Sequence, residues 1–165
     1  EPEPQPAVLR GPSRTPDRAG VLVVGVDFLM TQLARCCRPA PPDPIVGFVT
    51  RGRGVSVHRV GCRSFAEMAR RAPERVLPTS WGVPGEPRVY PVDVVLRARD
   101  RQGLLRDVSD VFARDKLNVI AVQSVSRGHD ALMQFTVEVP DIERLNQTLV
   151  AVRDVSGVIE ARRKQ

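Results

Sequence analysis

Long apolar runs, lysine and a usable set of cysteines are what this 165-residue sequence lacks. No stretch approaches the ~20 apolar residues that a membrane span requires. The longest apolar run, Val21 to Val26 interrupted by Gly25, is of strand length and has neither a basic leader nor a cleavage site. A cytoplasmic location is therefore expected. Three cysteines, two of them adjacent, make a poor disulfide framework. Lysine is nearly missing, so the basic character rests on arginine, whose planar fork suits bidentate phosphate contacts and stacking on bases.

What is present is ordinary for a folded chain, 42% apolar and 27% charged residues, and gives no reason to propose global disorder. The length allows one ordinary domain or two small ones. The net charge of +6 is unevenly placed. Between Arg35 and Arg75 nine arginines face three acids, an excess equal to that of the whole chain. A basic segment of this kind points to nucleic acid; a solvated face is the plainer alternative.

Residues 1–20, rich in Pro, Glu and Arg with almost nothing to bury, read as a flexible linker, and a chain that begins in one is expected to continue upstream. Residues 21–81 form a small basic unit. In it Val21 to Val24 reads as a strand and Phe28 to Ala34 as a short helical turn. The prolines at 39, 41, 42 and 44 break regular structure. Ile45 to Thr50 and Val55 to His58 make a hairpin around Arg51-Gly52-Arg53-Gly54, and Ser64 to Arg71 a short helix.

Residues 82–89 read as a second linker, with a second domain over 90–165. There the pattern becomes regular: strand 92–98, helix 104–115, strands 119–125 and 132–139, helix 142–152, strand 158–161. This βαββαβ order buries one face of an antiparallel sheet under two helices, a ferredoxin-like arrangement. The fold class is α+β, a small β-rich Cys/His module followed by the βαββαβ domain. Such a fold leaves the function open.

Two constellations carry chemistry. Cys36-Cys37 followed by His58-x3-Cys62 supplies four soft or borderline ligands, and zinc is the natural ion. Adjacent side chains such as Cys36 and Cys37 tend to diverge, so convergence needs a bend, which Pro39 could supply. The alternative is a cysteine buried as a small apolar residue beside a surface histidine. The loop Asp100-Arg101-Gln102-Gly103-Leu104-Leu105 places free N–H groups at a helix start, where a carboxylate or phosphate could sit. Asn118 could face the same edge; a tight turn alone also explains both.

Leu33-Ala34-Arg35-Cys36-Cys37-Arg38-Pro39, the run from Ile45 to Arg59 and Cys62 closely resemble the Cys-rich zinc-finger or RIS module of long RelA/SpoT homologues. Asp100 to Val108 and Leu117-Asn118-Val119 similarly resemble the ACT domain that ends those proteins. The resemblance implies a stringent-response enzyme, a GTP pyrophosphokinase that transfers pyrophosphate from ATP to GTP or GDP and in bifunctional members hydrolyses the product. Its catalytic half would lie upstream. No catalytic residue is assigned here, and the fragment is expected to be inactive alone.

The resemblance further implies contact with ribosomal RNA and deacylated tRNA. Arg35, Arg38, Arg51, Arg53, His58 and Arg59 are the candidate contacts. By analogy with other ACT domains, Gly103, Leu104, Asn118 and Ile120 would line a branched-chain amino-acid site. Homodimerisation through the ACT domain is the remaining expectation, and an amino-acid sensor or dimerisation module without RNA binding is the alternative function.

Overall fold

The structure is a computed structural model that describes residues 21–23 (by backbone), 31–52, 54–82 and 88–165. The first unit is a sheet in the order β1-β5-β3-β4-β2. Its strands are β1 (Val21–Val23), β2 (Thr31–Leu33), β3 (Ile45–Val49), β4 (Val55–Arg59) and β5 (Val76–Trp81). The hairpin β3–β4 is antiparallel with Ile45 opposite Arg59 and Val49 opposite Val55. It closes through Gly52, whose φ of 82° only glycine adopts at low cost. Helix α1 (Arg63–Arg71) buries Phe65 and leaves its Arg70 and Arg71 paired with Glu67 on the solvent side.

One expectation fails here, and one strand goes unread in the sequence. The helical turn over Phe28–Ala34 lies partly outside the described residues, and within them Thr31–Leu33 is a strand parallel to β4. Three residues carry too little periodicity to tell a turn of helix from a strand, and the partner Val55–Val57 decides it. Strand β5 has no clear signal in the sequence, because Pro78 interrupts its pattern. It nevertheless pairs with β3 on one side and β1 on the other.

The second unit follows the expected βαββαβ order. Strands β6 (Tyr90–Arg99), β7 (Asn118–Arg127), β8 (Asp130–Val139) and β9 (Val158–Arg163) form an antiparallel sheet in the order β7-β8-β6-β9. Helices α2 (Leu104–Arg114) and α3 (Ile142–Arg153) cover one face. Alternation along β6 sends Val92, Val94, Leu96 and Ala98 inward, where they meet Phe112 of α2, Phe135 of β8 and Leu149 of α3. Gly103, at φ 80°, turns the chain into α2, and Asp141 caps α3 by accepting the N–H of Arg144 at 2.7 Å.

The loop after β2 joins the two units. Ala40 is fully buried in the second core, and the carbonyl of Pro41 accepts the N–H of Ile142 at 2.8 Å. That N–H is one of the first-turn donors of α3 that no helical carbonyl can reach.

Candidate metal centre

Four ligand atoms converge where β2, β4 and α1 meet. Cys36 and Cys37 stand on a tight turn closed by Arg38 N–H donating to Ala34 O at 3.0 Å, with Arg38 in the left-handed region at φ 45°. That turn, ahead of Pro39, lets neighbouring side chains aim at one point. His58 projects from β4, and Cys62 precedes α1 after a turn in which its N–H reaches Arg59 O at 3.0 Å.

Cys36 Sγ lies 3.4 Å from His58 Nδ1 and 3.5 Å from Cys62 Sγ, and Cys37 Sγ is 3.9 Å from the same nitrogen. All four atoms lie within 4.8 Å of one another. Bond lengths of about 2.3 Å for sulfur and 2.0 Å for nitrogen place tetrahedral zinc ligands about 3.3–3.8 Å apart, so the spacing fits.

The electrostatics fit as well. Burial pushes the Cys37 thiol up to about 12 and raises Cys36, whose Cys62 neighbour adds to the rise. Burial also opposes ionisation at Cys62, but the N–H groups of Phe65 and Ser64 and the adjacent thiols outweigh it and lower its value. Burial lowers His58 and keeps its imidazole neutral. A proton on Nε2, donated to Ser56 Oγ at 2.8 Å, leaves the Nδ1 lone pair facing the sulfurs. Burial thus favours neutral thiols at Cys36 and Cys37, and ionising them beside Cys62 would require a cation among the sulfurs.

Of the residues assigned to RNA, Arg35 and Arg51 are exposed, and Arg53 lies outside the described residues. Arg38 and Arg59 turn inward, toward Asp93 at 3.4 Å and Asp43 at 3.8 Å. His58 is 3% exposed with both ring nitrogens engaged, which removes it from a contact surface. Exposed Arg63 joins the candidates only with the structure, although its place next to Cys62 marks it in the sequence. Ser56, the partner that orients His58, carries no signal in sequence.

The four residues assigned to an amino acid do not meet in one chain. Gly103 precedes α2 and Asn118 follows it, with eleven residues of helix between them, about 16 Å at the α-helical rise. Leu104 is a core residue at 2% exposure, Asn118 donates to Glu138 at 2.8 Å, and Ile120 is exposed at a bulge of β7.

Residues 21–82 match the family model of the RelA/SpoT RIS domain, and residues 86–163 match that of the ACT domain. A β module carrying a Cys/His cluster, joined to an ACT domain, defines a regulatory unit, and neither match is to a catalytic domain. The chain belongs to the RelA/SpoT family, of which it carries the RIS and ACT domains. It is 42% identical over 153 residues, 92% of its length, to the GTP pyrophosphokinase of Escherichia coli K12. It is 40% identical over 159 residues, 96% of its length, to the bifunctional (p)ppGpp synthase/hydrolase RelA of Mycobacterium tuberculosis. The chain spans about a fifth of these relatives, 20% and 21% of their lengths. Among solved structures, the ACT domain from the GTP pyrophosphokinase of Chlorobium tepidum has 14% identity and a TM-score of 0.42, covering 46% of this chain and 99% of that one. Among the described residues, no helix is long and apolar enough to cross a membrane.

Proposed function

We propose that this chain is the cytoplasmic regulatory end of a (p)ppGpp synthetase, which couples amino-acid starvation to catalytic domains upstream through contact with ribosomal RNA and deacylated tRNA. The observation that carries the reading is the Cys36–Cys37–His58–Cys62 cluster, with exposed Arg35 and Arg63 next to its ligands in sequence. These four residues would hold zinc, which supplies a structural crosslink and no reaction step. Ser56 fixes the histidine ring, and Cys62 takes its negative charge at the start of α1. The crosslink keeps Arg35 and Arg63 on one rigid surface, with Arg51 extending it at the hairpin tip.

Binding of structured RNA is the test. If five phosphates are neutralised, affinity falls by about 3.5–4.5 decades per decade of salt, and replacing Arg35, Arg51 and Arg63 by Gln lowers that slope by about 0.7–0.9 for each phosphate no longer neutralised. Binding that ignores salt, or that survives the triple replacement unchanged, overturns the RNA reading. Protein purified without chelator should hold one zinc per chain and Cys62→Ser should lose it.

A second reading is favoured by the open edge of β7, where Ile120, Val122 and Val125 are exposed. A second copy would pair there, and a branched-chain amino acid would bind to that paired form, since one chain keeps Gly103 and Asn118 apart. Calorimetry with valine on the dimer tests it; no heat and no thermal shift at millimolar ligand removes the sensor.

A further inference from the structure

The two domains are tied by a largely buried ion pair whose partners stand 120 residues apart. Arg163, the last residue of β9, donates from Nη1 to Asp43 Oδ1 at 2.8 Å and from Nη2 to Asp43 Oδ2 at 2.6 Å. The two side chains are only 12% and 11% exposed. Removing two charges from water costs several kcal/mol, which a buried pair of this geometry offsets only in part, so stability alone is a poor reason for it. Its surroundings supply a better one.

Several groups that Asp43 and Arg163 hold lead back to the metal cluster. Arg163 Nη2 also donates to the carbonyl of Arg38 at 2.9 Å, and Arg38 directly follows Cys37. Arg38 sits at φ 45°, a conformation that side-chain-bearing residues avoid and that persists only when the surroundings impose it. The same residue is held from its other end, Nε lying 3.4 Å from Asp93, which also accepts the Thr136 hydroxyl at 2.6 Å. Asp43 accepts the N–H of Ala40 at 2.9 Å and its carbonyl accepts Trp81 Nε1 at 2.9 Å, which closes the loop that leaves the cysteine pair. On the far side, Arg59 brings Nε to 3.8 Å from Asp43 while its backbone N–H donates to Cys37 Sγ at 3.3 Å, and Arg59 directly follows His58.

We infer that the ACT domain positions the metal centre of the RIS domain: Arg163 and Asp43 hold Arg38 in its strained conformation and so keep Cys37 and His58 aimed at a common ion. Neither residue touches the ion, and both are positioning residues. The inference rests on the metal reading above. Released from Arg163, Arg38 relaxes to an ordinary φ, the turn opens, and Cys37 swings away from the other three ligands. By linkage, metal bound at the cluster also favours the docked ACT domain, so occupancy of the one and seating of the other rise and fall together.

Cobalt gives the readout, because its ligand-field absorption reports the geometry of the thiolate set directly, and competition with a chromophoric chelator gives the affinity. In this chain, Arg163→Gln and Asp43→Asn are each expected to weaken cobalt and zinc about tenfold, in the range found for residues that orient metal ligands. The double variant is expected to lose no more than either single one, because both cut the same link. Arg163→Lys, which keeps the charge and loses the fork, should retain an intermediate affinity and keeps the test open if Arg163→Gln does not fold. Thr148→Val is the control: it deletes the 2.6 Å bond from Thr148 to Asp115 inside the ACT domain, a bond that involves neither Asp43 nor Arg163, and should lower stability with cobalt affinity unchanged. Folded Asp43 and Arg163 variants with wild-type affinity and spectrum overturn the inference, as does a Thr148→Val chain that loses cobalt equally. A wild-type chain that takes up neither metal overturns the metal reading and the inference with it, whereas uptake indifferent to the variants overturns the inference alone.

Discussion

At the scale of single residues, a short sequence motif and its physical partners are separated by very different distances. The four residues that converge in the cluster stand out in the sequence because cysteine and histidine are rare in this chain. Ser56 does not, since nothing in its chemistry distinguishes it from any other strand serine, and it matters only because its Oγ lies 2.8 Å from Nε2. Ser56→Ala leaves the imidazole free to rotate or change tautomer, and zinc affinity should drop about tenfold, as read by chelator competition. An unchanged affinity would mean that the cluster fixes the ring unaided.

Asp43 gives a pH signature. Burial pushes its carboxyl up, but the hydrogen bonds from Arg163 and Ala40 and the charges of Arg163 and Arg59 outweigh this and hold it below the ordinary 3.8. A group whose value is depressed on folding contributes stability that is present above its unfolded value and lost as the pH falls through its folded value. The clasp is therefore intact at neutral pH; its contribution starts to decline only as the pH drops below the ordinary 3.8 and is lost as the pH falls through the lower folded value. In Asp43→Asn, which cannot titrate, that acid limb should shrink when the unfolding midpoint is followed against pH. An acid limb identical to wild type would show that Asp43 contributes nothing to it.

At the scale of elements, the ACT domain was readable and the RIS domain only in part. Helices of eleven and twelve residues and strands of up to ten give several periods of apolar alternation, enough to fix their type and inward face from sequence. The shorter strands β2 and β5 owe their form to partners across the sheet, which local sequence cannot display. Gly47 shows how close those partners come. It lies on the central strand β3, and a Cβ there would stand 2.7 Å from Val55 Cγ1, 2.8 Å from Thr79 Cγ2 and 3.3 Å from the Leu77 carbonyl. Two β-branched side chains and a backbone oxygen cannot all yield, so Gly47→Ala should destabilise the RIS domain by about 1–3 kcal/mol. A denaturation midpoint equal to wild type would show that β4 and β5 move apart more readily than their packing indicates.

For the whole molecule, the outer edge of β7 decides what a second copy can do. Val122 pairs with inward-facing Phe135 and so stands on the helix side of the sheet, whereas Val125 pairs with Leu132 and stands on the open side. Both are exposed, 40% and 56%, and Ile120 beside them is 45% exposed. A partner laid over one face would cover one valine and leave the other wet. A strand added edge to edge covers both while satisfying the outward N–H and C=O groups of β7. The same chain offers that strand, and antiparallel pairing of β7 with its copy generates a closed two-fold dimer. Light scattering of the wild-type chain should therefore show concentration-dependent dimers. Val122→Lys together with Val125→Lys places charge on both sides of the edge and should return it to monomer. Because neither residue belongs to the buried core, the thermal unfolding of the monomeric variant should retain the cooperative ACT transition. A wild-type chain that stays monomeric as its concentration rises, or a double variant that dimerises as well as wild type, would exclude this edge as the contact.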